Sequence, residues 1–439
     1  MWLWLYRLLF LPALVLSLPV FLTRMLRRGG LRVDAGQRFG RWTPLPAPRP
    51  GRPRVWIQAV SVGEILALRP ILLAWQEATP APEIVLSCTT TTGRAIIREQ
   101  LLPAGLVQHT GYFPLDFTVW SRRTWAAIRP DLVVSMESEL WPEHLHQARQ
   151  RGIPVLLINA RLSERSFRRY RIAGAATRWL FGYLDRICAG SAIDAERFRA
   201  LGVPPSRIEV TGNLKADVPA PPVLSPEERA SLRRELGFIP EQPVLLGAST
   251  WPGEEAALLD ALDAAEAAGH ALQLLLVPRH QERGDELADW LAGRATDRPW
   301  HRRSSGKTAP AGTRIYLADT TGELARLTQA ADIAFIGKTL PPRHEGQTPI
   351  EAAALGVPLI TGPRLSNFHQ IHRGLIRAGA CRAVSDAGGL TTAVLALLND
   401  PEERTVMGRA GRDWHRANRG SAQRTVVRLN ASLGAIPRR

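Results

Sequence analysis

Short apolar runs alternate along most of this chain with stretches whose apolar positions recur at helical spacing. The runs at 55–62, 84–88, 132–136, 155–159 and 186–189 are apolar on both alternating faces, the pattern of strands buried in a parallel sheet. A Pro-rich stretch at 216–226 interrupts them. The pattern then restarts with runs at 244–248, 272–277, 314–317, 333–336 and 357–361. Strand and helix alternate in both halves, which predicts two parallel-sheet, Rossmann-like α/β domains of similar size facing a cleft. Neither half carries the Gly-rich dinucleotide fingerprint, which argues against a nicotinamide or flavin dehydrogenase.

The first 28 residues break this rhythm. MWLWLYRLLFLPALVLSLPVFLTRMLRR carries only Arg7 before Thr23, then Arg24, Arg27 and Arg28. Its apolar part suits a short transmembrane helix or a deep interfacial one. Trp2, Trp4 and Tyr6 suit the membrane interface, and the trailing arginines place the rest of the chain on the cytoplasmic side. The expected layout is an uncleaved membrane-anchor helix over 1–28 and a Pro-rich linker at 43–54. An N-terminal domain follows over 45–218 and a C-terminal domain over 222–439, the last helix able to pack back on the N-terminal domain.

The length of 439 residues and 45% hydrophobic content imply more than one core. A formal charge of +16 points to an anionic partner: nucleic acid, an acidic membrane or a phosphorylated substrate. No zinc-finger spacing, basic zipper or RNP aromatic motif supports nucleic acid, so none is expected as a partner. Cys88, Cys188 and Cys381 have neither pairing nor metal spacing.

The chemistry gathers where strands run into helices. In RPRVWIQAVSVGEILALRPILLAW (53–75), Glu64 stands at a strand's carboxyl end and a helix's N-terminus. Ligands of open α/β sheets bind at that edge; a carboxylate there also simply complements the helix dipole. GASTWPGEEAALL (247–259) brings Ser249 and Thr250 to a helix start, for a phosphate or for ordinary N-capping. VPRHQER (277–283) puts Arg279, His280 and Arg283 after the next strand, an anion site or a solvated basic loop. ADTTGEL (318–324) again ends a strand, with Gly322 allowing close approach. EGQTPIEAAALGVPLITGP (345–363) reads as a capping box, Thr348 at the N-cap, Pro349 next and Glu351 as its carboxylate. That layout also suits a nucleotide, with phosphate on the N–H groups and the carboxylate on the ribose hydroxyls.

Together these stretches resemble the 3-deoxy-D-manno-octulosonic acid (Kdo) transferases of lipopolysaccharide synthesis. The matching segments are SVGE (61–64), SCTTTTGRA (87–95), ESELWP (137–142), INARLSERS (158–166), GNLKAD (212–217), GASTWPGEE (247–255), PRHQER (278–283), TGEL (321–324) and TPIEAAALGVPLITGP (348–363). The resemblance implies a two-domain GT-B glycosyltransferase on the cytoplasmic face of the bacterial inner membrane. It implies transfer of Kdo from CMP-Kdo to a phosphorylated lipid A precursor, with inversion at the anomeric carbon and no cofactor or metal. Glu64 matches the family's general base, while Glu137 and Lys215 match its transition-state stabilisers. Pro278 and Arg279, then Gly322, Glu323 and Leu324, then Thr348, Pro349, Ile350 and Glu351 match its CMP-binding segments. Glu139 reads equally as a second active carboxylate or a surface one beside Trp141.

The family commonly has a GGS-L-VP-HGGHNPLE type of loop. Residues 337–351 here read GKTLPPRHEGQTPIE, one residue longer, with Gln347 and Thr348 where His and Asn are usual. Trp251 replaces a usual His. The basic stretch 158–171 (Arg161, Arg165, Arg168, Arg169, Arg171) suits acceptor phosphates and an anionic membrane surface. The competing reading is a GT-B transferase using another nucleotide sugar on a membrane acceptor.

Overall fold

A computed structural model describes residues 1–27, 34–48, 50–77, 81–217 and 221–435, with side chains omitted for 18–27. The chain divides into two compact units, one of Met1–Val218 with Asn418–Arg439, the other of Pro219–Ala417.

The first unit is built on a seven-stranded, all-parallel sheet. Its strands are β1 (Arg54–Ala59), β2 (Glu83–Cys88), β3 (His109–Tyr112), β4 (Leu132–Met136), β5 (Val155–Ala160), β6 (Arg186–Ala189) and β7 (Ile208–Val210), in the order β3-β2-β1-β4-β5-β6-β7. The order reverses at β1, so the crevice beyond the carboxyl ends of β1 and β4 is where such a sheet binds ligand. Every residue of β1 is buried, Arg54 included. Its guanidinium reaches Glu83 at 2.9 Å and carbonyls of Pro46 and Ile128, which offsets the cost of burying the charge.

The helix Val62–Gln76 follows β1 and presents Ile65, Leu68, Ile71, Leu72 and Trp75 to the core. Pro70 lies inside it without ending it. The C-terminal helix Ser421–Gly434 returns to this unit and packs Val426 and Leu429 into the same core. Asn430 accepts from the Trp75 indole at 2.8 Å, and Asp217 accepts from the Gly420 and Ala422 amides at that helix's start.

The second unit repeats the plan. β8 (Val244–Thr250), β9 (Gln273–Pro278), β10 (Trp300–Arg302), β11 (Ile315–Leu317), β12 (Ile333–Ile336), β13 (Leu359–Thr361) and β14 (Cys381–Ala383) form a second all-parallel sheet, ordered β10-β11-β9-β8-β12-β13-β14. β8 is its reversal point, as β1 is in the first. The two expected parallel-sheet α/β domains are therefore present. The pattern missed β3, β7, β10 and β14, the edge strands of the two sheets.

The N-terminal helix Trp2–Arg27 forms, but the expected membrane anchor is corrected in its spanning form: among the described residues no helix is long and apolar enough to cross a membrane. Its first turns are tied instead to the first unit. Leu3 is buried, the Tyr6 hydroxyl donates to Asp116 at 2.7 Å, Arg7 pairs with Glu143 at 2.8 Å and Phe10 stacks on Phe117. Trp4, Leu8, Leu9, Val15 and Leu16 on this helix remain exposed.

Leu429 is fully buried between the C-terminal helix and the Val62–Gln76 helix. Leu429→Ala should cost the first unit about 2–5 kcal/mol, seen as an earlier urea midpoint by tryptophan fluorescence.

Candidate active site

At the carboxyl edge of the first sheet, Ser61 caps the helix Val62–Gln76 by accepting from the Glu64 amide. The Glu64 carboxylate turns back to accept from the Val60 amide at 2.8 Å and the Ser61 hydroxyl at 2.9 Å. Those two bonds leave lone pairs over. Glu64 is only 7% exposed, and burial together with the nearby Glu137 charge raises its pKa, against the pull of the Val60 and Ser61 bonds and of Lys215. Burial thus outweighs the two hydrogen bonds and the Lys215 charge, which favour the ionised form.

Glu137 follows β4 with φ +55°, and Asn159 near the end of β5 has φ +48°. Lys215 donates to Glu137 at 2.9 Å, Arg161 approaches it at 3.6 Å and Asn159 at 3.4 Å. Asn159 in turn accepts from the Leu214 amide at 3.1 Å, and Asn213 accepts from the Lys215 amide at 3.0 Å. The GNLK segment is therefore pinned to β5, and its lysine is aimed at Glu137. Glu139 is half-buried, and burial plus the Glu64 charge pushes it up to about 7. It is a member of the cluster, which the sequence left open. The arrangement offers a partly satisfied carboxylate to accept a proton and a lysine held by a carboxylate to meet negative charge.

In the second unit, the last residues of β8 include Ser249 at φ +56°, where the register to β9 shifts. Ser249 and Thr250 do not cap the next helix, Glu254–Ala267, whose N-cap is Gly253. Thr250 is 1% exposed and its Oγ1 has no hydrogen-bond partner among the described residues. The organiser of this edge is Glu254. Its buried carboxylate accepts from the amides of Trp251 (2.9 Å), Lys338 (2.8 Å), Thr339 (2.8 Å) and Leu340 (3.2 Å). It ties the 249–254 turn to the loop after β12.

Pro278 ends β9 and is buried; Arg279 and His280 beyond it are exposed. Arg283 is already engaged by Glu255 at 2.6 Å and Glu286 at 3.0 Å, so of the three expected basic groups it is the least able to reach a ligand. Gly322 has φ +86°. Glu323 is held by Thr320 and by Arg303 at 2.6 Å; those bonds outweigh burial and lower its pKa. Its side chain is structural, leaving the backbone of Gly322, Glu323 and Leu324 as the part able to meet a ligand.

The expected Thr348–Glu351 capping box does not form. The helix is Ile350–Leu355, its N-cap is Pro349, and the Thr348 hydroxyl accepts from the Ile350 amide at 3.3 Å. With Pro349 at the N-cap, Glu351 is the second helical residue, one short of the third position that a capping box requires. Glu351 is left half-buried, its pKa raised by burial, with no hydrogen-bond partner among the described residues. No group of His, Cys, Asp and Glu able to hold a metal occurs among the described residues.

A model of the family described as 3-deoxy-D-manno-octulosonic-acid transferase (kdotransferase) matches residues 34–218. The 3-deoxy-D-manno-octulosonic acid transferase of Bordetella pertussis is 35% identical over 99% of this chain and 96% of its own. That of Haemophilus influenzae is 33% identical over 92% of each. Among solved structures, the UDP-GlcNAc 2-epimerase of Neisseria meningitidis bound to UDP-GlcNAc superposes with a TM-score of 0.58 at 14% identity, covering 86% of this chain and 100% of that one. At that identity the likeness concerns fold alone.

Glu254→Ala would strand four backbone amides, each costing about 1–3 kcal/mol if left buried without a partner. The second unit should unfold at markedly lower urea, and amide exchange at Lys338, Thr339 and Leu340 should accelerate.

Proposed function

The chain belongs to the 3-deoxy-D-manno-octulosonic acid (Kdo) transferase family, and we propose that it carries Kdo from CMP-Kdo to a sugar hydroxyl of a lipid A precursor, with inversion at the anomeric carbon. The observation that carries this reading beyond the family is the cluster of Glu64, Glu137 and Lys215 at the carboxyl edge of the first sheet.

Glu64 takes the proton of the acceptor hydroxyl. The freed oxygen forms a bond to the anomeric carbon of Kdo as the bond from that carbon to the CMP phosphate oxygen breaks, and CMP leaves with the electron pair. One displacement from the opposite face inverts the centre. Glu64 has lone pairs to spare for the incoming proton because, among the described residues, only Val60 and Ser61 bond to its carboxylate. Lys215 supplies positive charge to meet the negative charge that the departing phosphate gathers, and Glu137 keeps its ammonium in place. In the second unit, the backbone after Pro278 and around Gly322 takes the nucleotide, with Arg279 for its phosphate and Glu351 for the ribose hydroxyls. Ser249 and Thr250 line the same edge. The reaction as written uses side chains alone, CMP-Kdo being a substrate rather than a cofactor.

The acceptor is a lipid, which requires a membrane surface, and the proposed site of action is the cytoplasmic face of the bacterial inner membrane. Two features of the first unit support contact with anionic lipid. The exposed apolar residues Trp4, Leu8, Leu9, Val15 and Leu16 suit a helix lying in the interface. The helix Glu164–Ala173 buries none of its residues and exposes Arg165, Arg168, Arg169 and Arg171 beside Ile172. The altered loop 337–351 favours one alternative, the same chemistry with a different nucleotide sugar.

The test is a mass-spectrometric transfer assay with CMP-Kdo generated in situ and a tetra-acylated lipid A precursor, run beside UDP-sugars. The expected result is a Kdo mass increment from wild type with CMP-Kdo alone, reduced by about 10²–10⁴-fold in folded Glu64→Gln. No increment from folded, membrane-reconstituted wild type would overturn the assignment, and an increment with a UDP-sugar would establish the alternative.

A further inference from the structure

Two positions at which this chain departs from the family pattern meet in space. One is Trp251, where a histidine is usual. The other is Lys338, which aligns with the second glycine of the loop pattern GGS. The Lys338 backbone still has the conformation that suits glycine, φ +62°. A lysine there carries a strain of about 1–2 kcal/mol that glycine avoids. Strain of this kind persists where the surroundings enforce it, and Glu254 enforces it here by binding the amides of both Lys338 and Trp251.

The side chains complete the pairing. The Lys338 ammonium lies 4.3 Å from the centre of the Trp251 ring, a cation–π contact. Arg343 approaches the same ring at 5.8 Å, and His280 meets it edge-on at 5.1 Å. Three stretches of the second unit, 249–251, 278–283 and 337–345, thus converge on one indole, and the first two hold the expected donor contacts Ser249, Thr250, Pro278 and Arg279. The Trp251 Nε1 and the neighbouring Thr250 Oγ1 are both buried without hydrogen-bond partners among the described residues. Arg343 and His280 share the ring with Lys338, and Glu345 pairs with the ammonium at 3.5 Å while 43% exposed. An ion pair that long and that exposed is worth little and yields to a better anion. Arg343 is held by the Pro252 carbonyl at 2.6 Å.

We propose that Lys338, seated on the Trp251 ring, binds an anionic oxygen group of the donor, either the carboxylate of the sugar acid or the phosphate joining it to the nucleotide, and so tunes donor recognition in this chain. The inference rests on the Kdo-transfer reading. Glu345 occupies the ammonium in the absence of donor, and the donor's oxygens replace it.

The test compares wild type, Lys338→Met, Lys338→Arg and Trp251→Leu in the transfer assay, with intact folding checked by thermal unfolding. Lys338→Met should raise the donor KM about tenfold, the loss expected for one charge-assisted hydrogen bond, with the acceptor KM unmoved. Lys338→Arg should recover most of the loss. Trp251→Leu should raise the donor KM as well, and the double variant should be less than multiplicative, because each removes the same seated charge. Fluorescence titration with CMP and with CMP-Kdo separates the two anions: weakening of both ligands assigns the phosphate, weakening of CMP-Kdo alone assigns the carboxylate. An unchanged donor KM in Lys338→Met, beside a wild type that transfers Kdo, overturns the inference alone. No transfer by wild type overturns the reading beneath it and the inference with it.

Discussion

A buried carboxylate at the start of the helix that follows the central strand is the constraint on which both halves of the molecule depend. β1 and β8 occupy the same place in their sheets, at the reversal of strand order, and each runs into such a carboxylate. Glu254 accepts four backbone amides and is spent on holding two loops together. Glu64 accepts one amide and one hydroxyl. The same residue type at the same edge is thus fully engaged by backbone amides in one unit and only partly satisfied in the other. What separates them is how many donors the surrounding backbone aims at each.

The edges where these carboxylates sit are also where the backbone departs from ordinary geometry. Glu137, Asn159, Ser249 and Lys338 are four of the six described non-glycine residues with positive φ, and they lie at or just past the carboxyl ends of β4, β5, β8 and β12. Residues in that conformation cost energy and are kept where position matters more than stability. In the first unit this turns Glu137 toward Lys215 and Asn159 toward the GNLK segment. In the second it lifts the loops that Glu254 then locks. Glu139 extends the logic: with Glu64 nearby and burial acting on it, its carboxyl titrates near neutrality, so the cluster does not carry all its formal negative charge at once.

The sequence was legible where burial acts on both faces of a strand. β1, β2, β4, β5 and β6 and their counterparts β8, β9, β11, β12 and β13 stand out as apolar runs because sheet neighbours and helices exclude water from them. HTGY, IEV, WHR and CRA were invisible because an edge strand has one neighbour and needs no continuous apolar run. Glu64 was locatable from the turn chemistry of Ser61 and Gly63, but the direction of its shift was not, since that depends on burial in the folded unit and on Glu137 and Lys215, which lie far away in the sequence. The capping motif at 348–351 misled because Pro349 took the cap position itself. The apolar N-terminus misled in another way: Tyr6 and Arg7 bind Asp116 and Glu143, partners more than a hundred residues away that no local pattern reveals.

The claim that a buried, partly satisfied Glu64 gates transfer is tested most directly by the pH dependence of kcat/KM. Burial raises the Glu64 pKa, and only the ionised form accepts a proton, so activity should be full at high pH and fall as pH drops through a midpoint above the ordinary glutamate value of about 4.3. The residual activity of Glu64→Gln should lack that acid limb. A wild-type profile that stays flat below the ordinary glutamate range, or an acid limb that survives in Glu64→Gln, would contradict the account.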